Sequence, residues 1–197
     1  RCLHLSTHLI NEDKNYLSFV NKYLFSKSNS VEFQKEFKHI SKERESVDVG
    51  IHLRRADFSP AVSDKFLKAN EYPSDEYYRK IIDILEKLIK KKIIRYNIYS
   101  DTSYNLSEYF RKRQIDRFTV HSKKDSGMTT FEKMRTDDIL INANSSLSTW
   151  ATILSSQIGI FPGRTATYGA EKVLKNQFYS ATNFIENAEK ILNSLQR

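Results

Sequence analysis

The sequence predicts an α/β protein built on a Rossmann-like, doubly wound and mostly parallel sheet. Short apolar runs alternate with amphipathic stretches about five times from residue 47 onward, the pattern of repeated strand–helix units. The apolar runs are rich in Ile and Val and stop abruptly on polar residues, as strands covered on both faces do.

The first strand is "VDVGIHL" (47–53), with Val47, Val49, Ile51 and Leu53 at alternate positions. The clearest helix is "SDEYYRKIIDILEKLIKK" (74–91). Ser74 is its expected N-cap, Asp75 and Glu76 suit the first turn, and Ile81, Ile82, Leu85, Leu88 and Ile89 share one face. "IIRYNIYS" (93–100) reads as a strand ending at Ser100 and Asp101. "NLSEYFRKR" (105–113) reads as a short helix, "RFTVH" (117–121) as a strand and "TTFEKMRT" (129–136) as another helix. "DILINA" (138–143) is a strand and "SSLSTWATILSS" (145–156) a capped helix, in which Trp150 is expected to pack inward. "QIGIFP" (157–162) is expected to be the final strand and "NFIENAEKILNSL" (183–195) the closing helix. Residues 8–44 read as two polar helices, so 1–46 is a helical remnant or reduced N-terminal region and 47–197 a Rossmann-like domain with a C-terminal helix.

Composition narrows the function classes. With 39% apolar and 12% aromatic residues, the 197-residue chain can bury a substantial core. Five Gly and three Pro argue against long flexible linkers. The single Cys2 excludes an internal disulfide and a cysteine metal cluster. No apolar run approaches the roughly 20 residues of a membrane-spanning helix. A chain opening on Arg1 reads as a piece of a longer protein, so the expected location is cytoplasmic, or Golgi and membrane-associated if an anchor has been removed. The net charge of +8 includes basic clusters at 87–95, 111–117 and 123–124. It favours anionic partners such as nucleotides and leaves room for peripheral contact with an acidic membrane, although a solvated Lys-rich surface is the plainer reading of each cluster taken alone.

In doubly wound sheets, ligands bind beyond the carboxyl ends of the strands. The chemistry-bearing residues fall there: His52 to Asp57, Ser100 with Asp101, and Asn144 to Ser148. Arginine offers a planar fork of donors that matches phosphate oxygens, so Arg54 and Arg55 suit a diphosphate, although a salt bridge to Asp57 or Asp48 is the plainer alternative. In "NANSSLSTW" (142–150), serines stand between a strand and a helix, where one caps the helix and the backbone N–H groups suit phosphate.

These residues resemble a family. "HLRRADF" (52–58) is similar to the H-x-R-R-x-D motif of fucosyltransferases that use GDP-fucose, and "FEKMRTDDILINANSSLSTWATIL" (131–154) resembles their N-S-S-x-S signature. "IYSDT" (98–102) is similar to the Ser-Asp strand end between those motifs, and the likeness spans about residues 47 to 165 in the family's order. Leu147 and Thr149 depart from the aromatics usual there, and only 46 residues precede the strand that carries the first motif, where the family has an acceptor-binding domain.

The resemblance implies a GT-B glycosyltransferase, inverting and metal-independent, that moves fucose from GDP-fucose to a hydroxyl of a glycan or glycoprotein acceptor. No D-x-D motif occurs, in keeping with an expectation of no metal and no cofactor beyond the donor. By motif position, Arg54 would hold the β-phosphate, with His52 and Arg55 in support. Asn144, Ser145, Ser146 and Ser148 would line the phosphate and sugar side, with Ser100 and Asp101 near the nucleotide. Asp57 is the nearest candidate for the general base and Asp64 the next, although Asp57 serves equally well as a structural partner of Arg55. The rival reading is a non-catalytic module for nucleotide, RNA or another polyanion. Nucleic acid is the less expected partner, because no RRM-type aromatic motif, K-homology loop or zinc spacing occurs.

Overall fold

The computed structural model describes residues 45–54, 73–90, 92–100, 118–121, 127–155, 158–163 and 178–195. In chain order these form β1 (Ser46–Leu53), α1 (Asp75–Leu88), β2 (Ile93–Ser100), β3 (Phe118–His121), α2 (Gly127–Thr136), β4 (Ile139–Ile141), α3 (Ser146–Ile153), β5 (Ile158–Phe161), β6 (Phe178–Ser180) and α4 (Ala181–Leu195). The expected helices within 8–44 and at 105–113 lie outside the described residues.

The strands form one six-stranded sheet in the order β3-β2-β1-β4-β5-β6. Every pairing is parallel. This is the strand order of a Rossmann fold, in which the chain starts at the centre, winds outward to one edge, and returns to wind toward the other. The point of reversal lies between β1 and β4.

Strand alternation explains why both faces are covered. On one face, Val49, Ile51 and Leu53 of β1 join Ile94, Tyr96 and Ile98 of β2, Ile139 and Ile141 of β4, and Ile158 and Ile160 of β5. They meet Tyr78, Ile81, Ile82 and Leu85 of α1 and Phe184, Ala188, Ile191 and Leu192 of α4. On the other face, Tyr99, Leu140, Phe161 and Phe178 meet Phe131 and Met134 of α2 and Trp150, Ala151 and Ile153 of α3. Trp150 is only 3% exposed, so it packs inward. Each fully buried Ile or Leu contributes about 1.5–3 kcal/mol relative to exposure.

Helix α1 begins as its sequence dictates: Ser74 is extended and its Oγ accepts from Tyr77 N, while Asp75 and Glu76 occupy the first turn. Two glycines admit close neighbours. A Cβ on Gly50 would collide with Asp137 Oδ2 and lie 2.7 Å from Leu140 Cδ1. A Cβ on Gly159 would collide with Thr152 Cγ2, so α3 sits against β5 only because residue 159 has no side chain.

Two expectations are corrected. "QIGIFP" contains β5 but is not the last strand, because Phe178–Ser180 adds β6 at the edge, paired Gly159↔Phe178 through Phe161↔Ser180. Three residues are too few to show alternation, and β6 runs directly into α4, so its residues read as the approach to a helix. The expected helix 145–156 closes at Ile153, with Leu154 as its C-cap.

Candidate functional site at the carboxyl edge of the sheet

The two strands flanking the reversal carry the two motifs. β1 and β4 are neighbours, with Val49↔Ile139, Gly50↔Leu140 and Ile51↔Ile141 in register. Past these pairs β1 leads through His52 and Leu53 to Arg54, and β4 leads through Asn142 and Ala143 to Asn144 and Ser145. Strand order reverses here, and α1, which follows β1, packs on one face of the sheet while α3, which follows β4, packs on the other, the arrangement that in doubly wound sheets sets a ligand crevice at this edge.

His52 is buried, lies beside Tyr99 in the β1–β2 register, and so shares the face covered by α2 and α3. Arg54, one residue beyond the end of β1, is partly buried. Ser100 is buried at the end of β2, in register with Leu53. Arg55, Asp57, Asp64 and Asp101 lie outside the described residues. The Asp48 alternative for an arginine partner is met elsewhere: its carboxylate receives Arg95 Nε at 2.7 Å and Nη2 at 2.9 Å, toward the opposite end of β1. That fork raises the Arg95 pKa further.

The serine turn resolves into distinct parts. Ser145 is the N-cap of α3, with φ −149° and ψ 131°, yet its side chain makes no capping hydrogen bond. It is 5% exposed. Its carbonyl accepts from Thr149 N at 3.1 Å, Ser148 Oγ at 3.3 Å and Thr149 Oγ1 at 2.9 Å. Ser148 is thus fully buried and spends its hydroxyl on the turn itself. Ser146 is exposed and Asn144 partly so. The first N–H groups of a helix lack intrahelical acceptors and carry the positive end of its dipole. In the parallel β4–α3–β5 unit, the start of α3 lies at the carboxyl edge.

Behind the turn, Asn142 holds α3 to β4. Its Nδ2 donates to Leu140 O at 3.0 Å and to Thr152 Oγ1 at 3.3 Å, while Thr152 Oγ1 donates to Ser148 O at 3.1 Å. Asn142, two residues ahead of the motif's own Asn144, therefore positions the helix rather than facing a ligand.

Sequence reasoning missed three polar groups. Tyr77 and Tyr78, in the first turn of α1, reach the carboxyl edge. Tyr78 Oη donates to His52 O at 2.9 Å. Tyr77 Oη lies 2.9 Å from Ile160 O and 3.1 Å from Asn142 O. Burial pushes the Tyr77 phenol well above its ordinary pKa, with Tyr78 adding to the shift. The third is Asp137, 1% exposed, which accepts from Asn97 Nδ2 at 2.6 Å and Tyr99 Oη at 2.9 Å. Burial raises its carboxyl well above the usual range, although both hydrogen bonds act the other way.

Fold and edge together define a Rossmann-like α/β domain whose two motif-bearing strands are neighbours at its topological switch point. No protein-family model matches the chain, and no curated protein matches it.

Proposed function

We propose that this chain is the donor-binding domain of a glycosyltransferase that takes GDP-fucose and transfers fucose to a hydroxyl of a glycan or glycoprotein. The observation that carries the reading is the adjacency of β1 and β4 at the point where strand order reverses, with Arg54 following one and Ser145 the other. A cationic fork and a helix N-terminus at one crevice are complementary to a diphosphate. The motif resemblance supplies the guanosine and the sugar.

In the reaction, an acceptor hydroxyl oxygen bonds to the anomeric carbon from the face opposite the phosphate. The anomeric carbon–oxygen bond to the β-phosphate breaks, and GDP leaves with the bonding electron pair. Arg54 and the N–H groups at the start of α3 stabilise the charge that builds on the leaving phosphate. A carboxylate takes the hydroxyl proton, and Asp57 is the motif's candidate. Ser148 and Asn142 serve by shaping the turn that presents those N–H groups.

The test is calorimetric titration with GDP, UDP and an RNA oligomer. GDP is expected to bind selectively. Arg54→Ala is expected to weaken it by about two to three powers of ten, and Arg54→Lys by less, because lysine keeps the charge and loses the fork. A folded Arg54→Ala protein with unchanged GDP affinity would overturn the reading. Stronger binding of RNA than of GDP would favour a polyanion-binding module.

A further inference from the structure

The structure assigns Tyr77 and Tyr78 a role as positioning residues: a pair of phenols that sets the spacing of the two strand ends forming the crevice, and with it the grip on the β-phosphate. This rests on the diphosphate-binding reading above. The two residues are consecutive in the first turn of α1, yet their hydroxyls bond to different sides of the switch point. Tyr78 holds β1 through His52 O. Tyr77 holds β4 and β5 through Asn142 O and Ile160 O. His52 and Asn142 belong to the two separate motifs, 90 positions apart in the chain (142 minus 52).

The Ile160 carbonyl also accepts from Asn142 N at 2.8 Å, so Tyr77 Oη sits on the bond that ties β4 to β5. A single hydroxyl proton spans two carbonyls there, so a shift of either strand lengthens one of the contacts. The two rings meet edge to face, with centroids 4.8 Å apart and planes at 72°. Each phenol is therefore held partly by the other, and the first turn of α1 acts as one body bridging β1 to β4 and β5. Both rings are packed with the core beneath α1, and Tyr78 is 3% exposed. Neither hydroxyl need touch a ligand. Their effect passes through the backbone at His52, two residues before Arg54, and at Asn142, three residues before Ser145.

The test uses Tyr77→Phe and Tyr78→Phe, each titrated with GDP and with GMP, which lacks the β-phosphate. Tyr96→Phe is the control, since it also removes a buried phenol of the same core, one that donates to Glu86 Oε1 at 3.2 Å away from the crevice. Each brace variant is expected to lose about three- to tenfold in GDP affinity, with a much smaller loss for GMP, so that the GDP-to-GMP ratio falls. Tyr96→Phe is expected to keep the wild-type ratio. Circular dichroism checks folding, and if one brace variant fails to fold, the other decides alone because each phenol holds a different strand. An unchanged ratio in a folded brace variant, or an equal loss for both nucleotides, would overturn the positioning role while leaving diphosphate binding intact. Wild-type protein that binds neither nucleotide would overturn both.

Discussion

Asp137 precedes β4, yet its side chain lies over the middle of the sheet, in space left open by Gly50. Alanine at 50 would drive a methyl into a carboxyl that already holds Asn97 and Tyr99. Because the folded-state pKa is raised, the native protein keeps a proton that the unfolded chain releases. The stability this contributes is complete below the ordinary carboxylate value, about pH 4, and is lost as pH rises through the folded-state value. Urea unfolding followed upward from about pH 4 should therefore show stability falling with a slope of up to about 1.4 kcal/mol per pH unit from this group. Asp137→Asn, which keeps the shape and cannot ionise, should flatten that slope. A wild-type profile no steeper than the Asn variant's would show that Asp137 is ionised when folded. Asp137 was invisible beforehand because "TDDIL" reads as a solvated turn before a strand, and only tertiary packing turns one aspartate inward and leaves its neighbour Asp138 to accept from Asp48 N at 2.9 Å.

The α3–β5 contact depends on Gly159 and Thr152 fitting against each other. Gly159→Ala is expected to destabilise by about 2 kcal/mol, since the new methyl meets Thr152 Cγ2, with Phe161 Cε2 2.9 Å away. Adding Thr152→Ser removes the obstructing methyl and keeps the hydroxyl that donates to Ser148 O. The double variant should recover part of the loss, with a coupling of at least about 0.5 kcal/mol in denaturant unfolding. Strictly additive losses would place the strain elsewhere. β1 and β2 were legible in the sequence because each has alternating apolar residues and a polar end, and α1 because its cap, first-turn acids and apolar stripe agree. β6 was not, because three residues carry no period. The carboxyl-edge positions of His52, Arg54 and the serine turn were legible from where apolar runs stop. The brace was not, because tyrosines at the start of an amphipathic helix read as core, and nothing local reveals which carbonyls they will meet.

The protein's excess of positive charge, +8, bears on how ligands are told apart. A polyanion held by scattered lysines loses affinity steeply with salt, whereas a nucleotide held in one crevice acts through a few fixed donors. GDP at a hundred times its dissociation constant should stabilise the native state by about 2.7 kcal/mol. For a chain of this size that is roughly 5–10 °C in thermal midpoint. The shift should vanish in Arg54→Ala and persist when salt is raised. A shift of equal size with any polyphosphate, abolished by salt, would point to diffuse attraction instead.

The pairing of β1 with β4 also governs when the crevice can exist. Its two walls are made far apart in time: at ribosomal rates of about 5–20 residues per second, the serine turn emerges on the order of ten seconds after the arginines. Until β4 arrives, β1 has β2 on one flank and an open edge on the other, with Arg54 beside a site that is only half built. Nascent or interrupted chains that end before β4 should therefore be unable to hold a diphosphate, and nucleotide binding reports that the last central strand has docked.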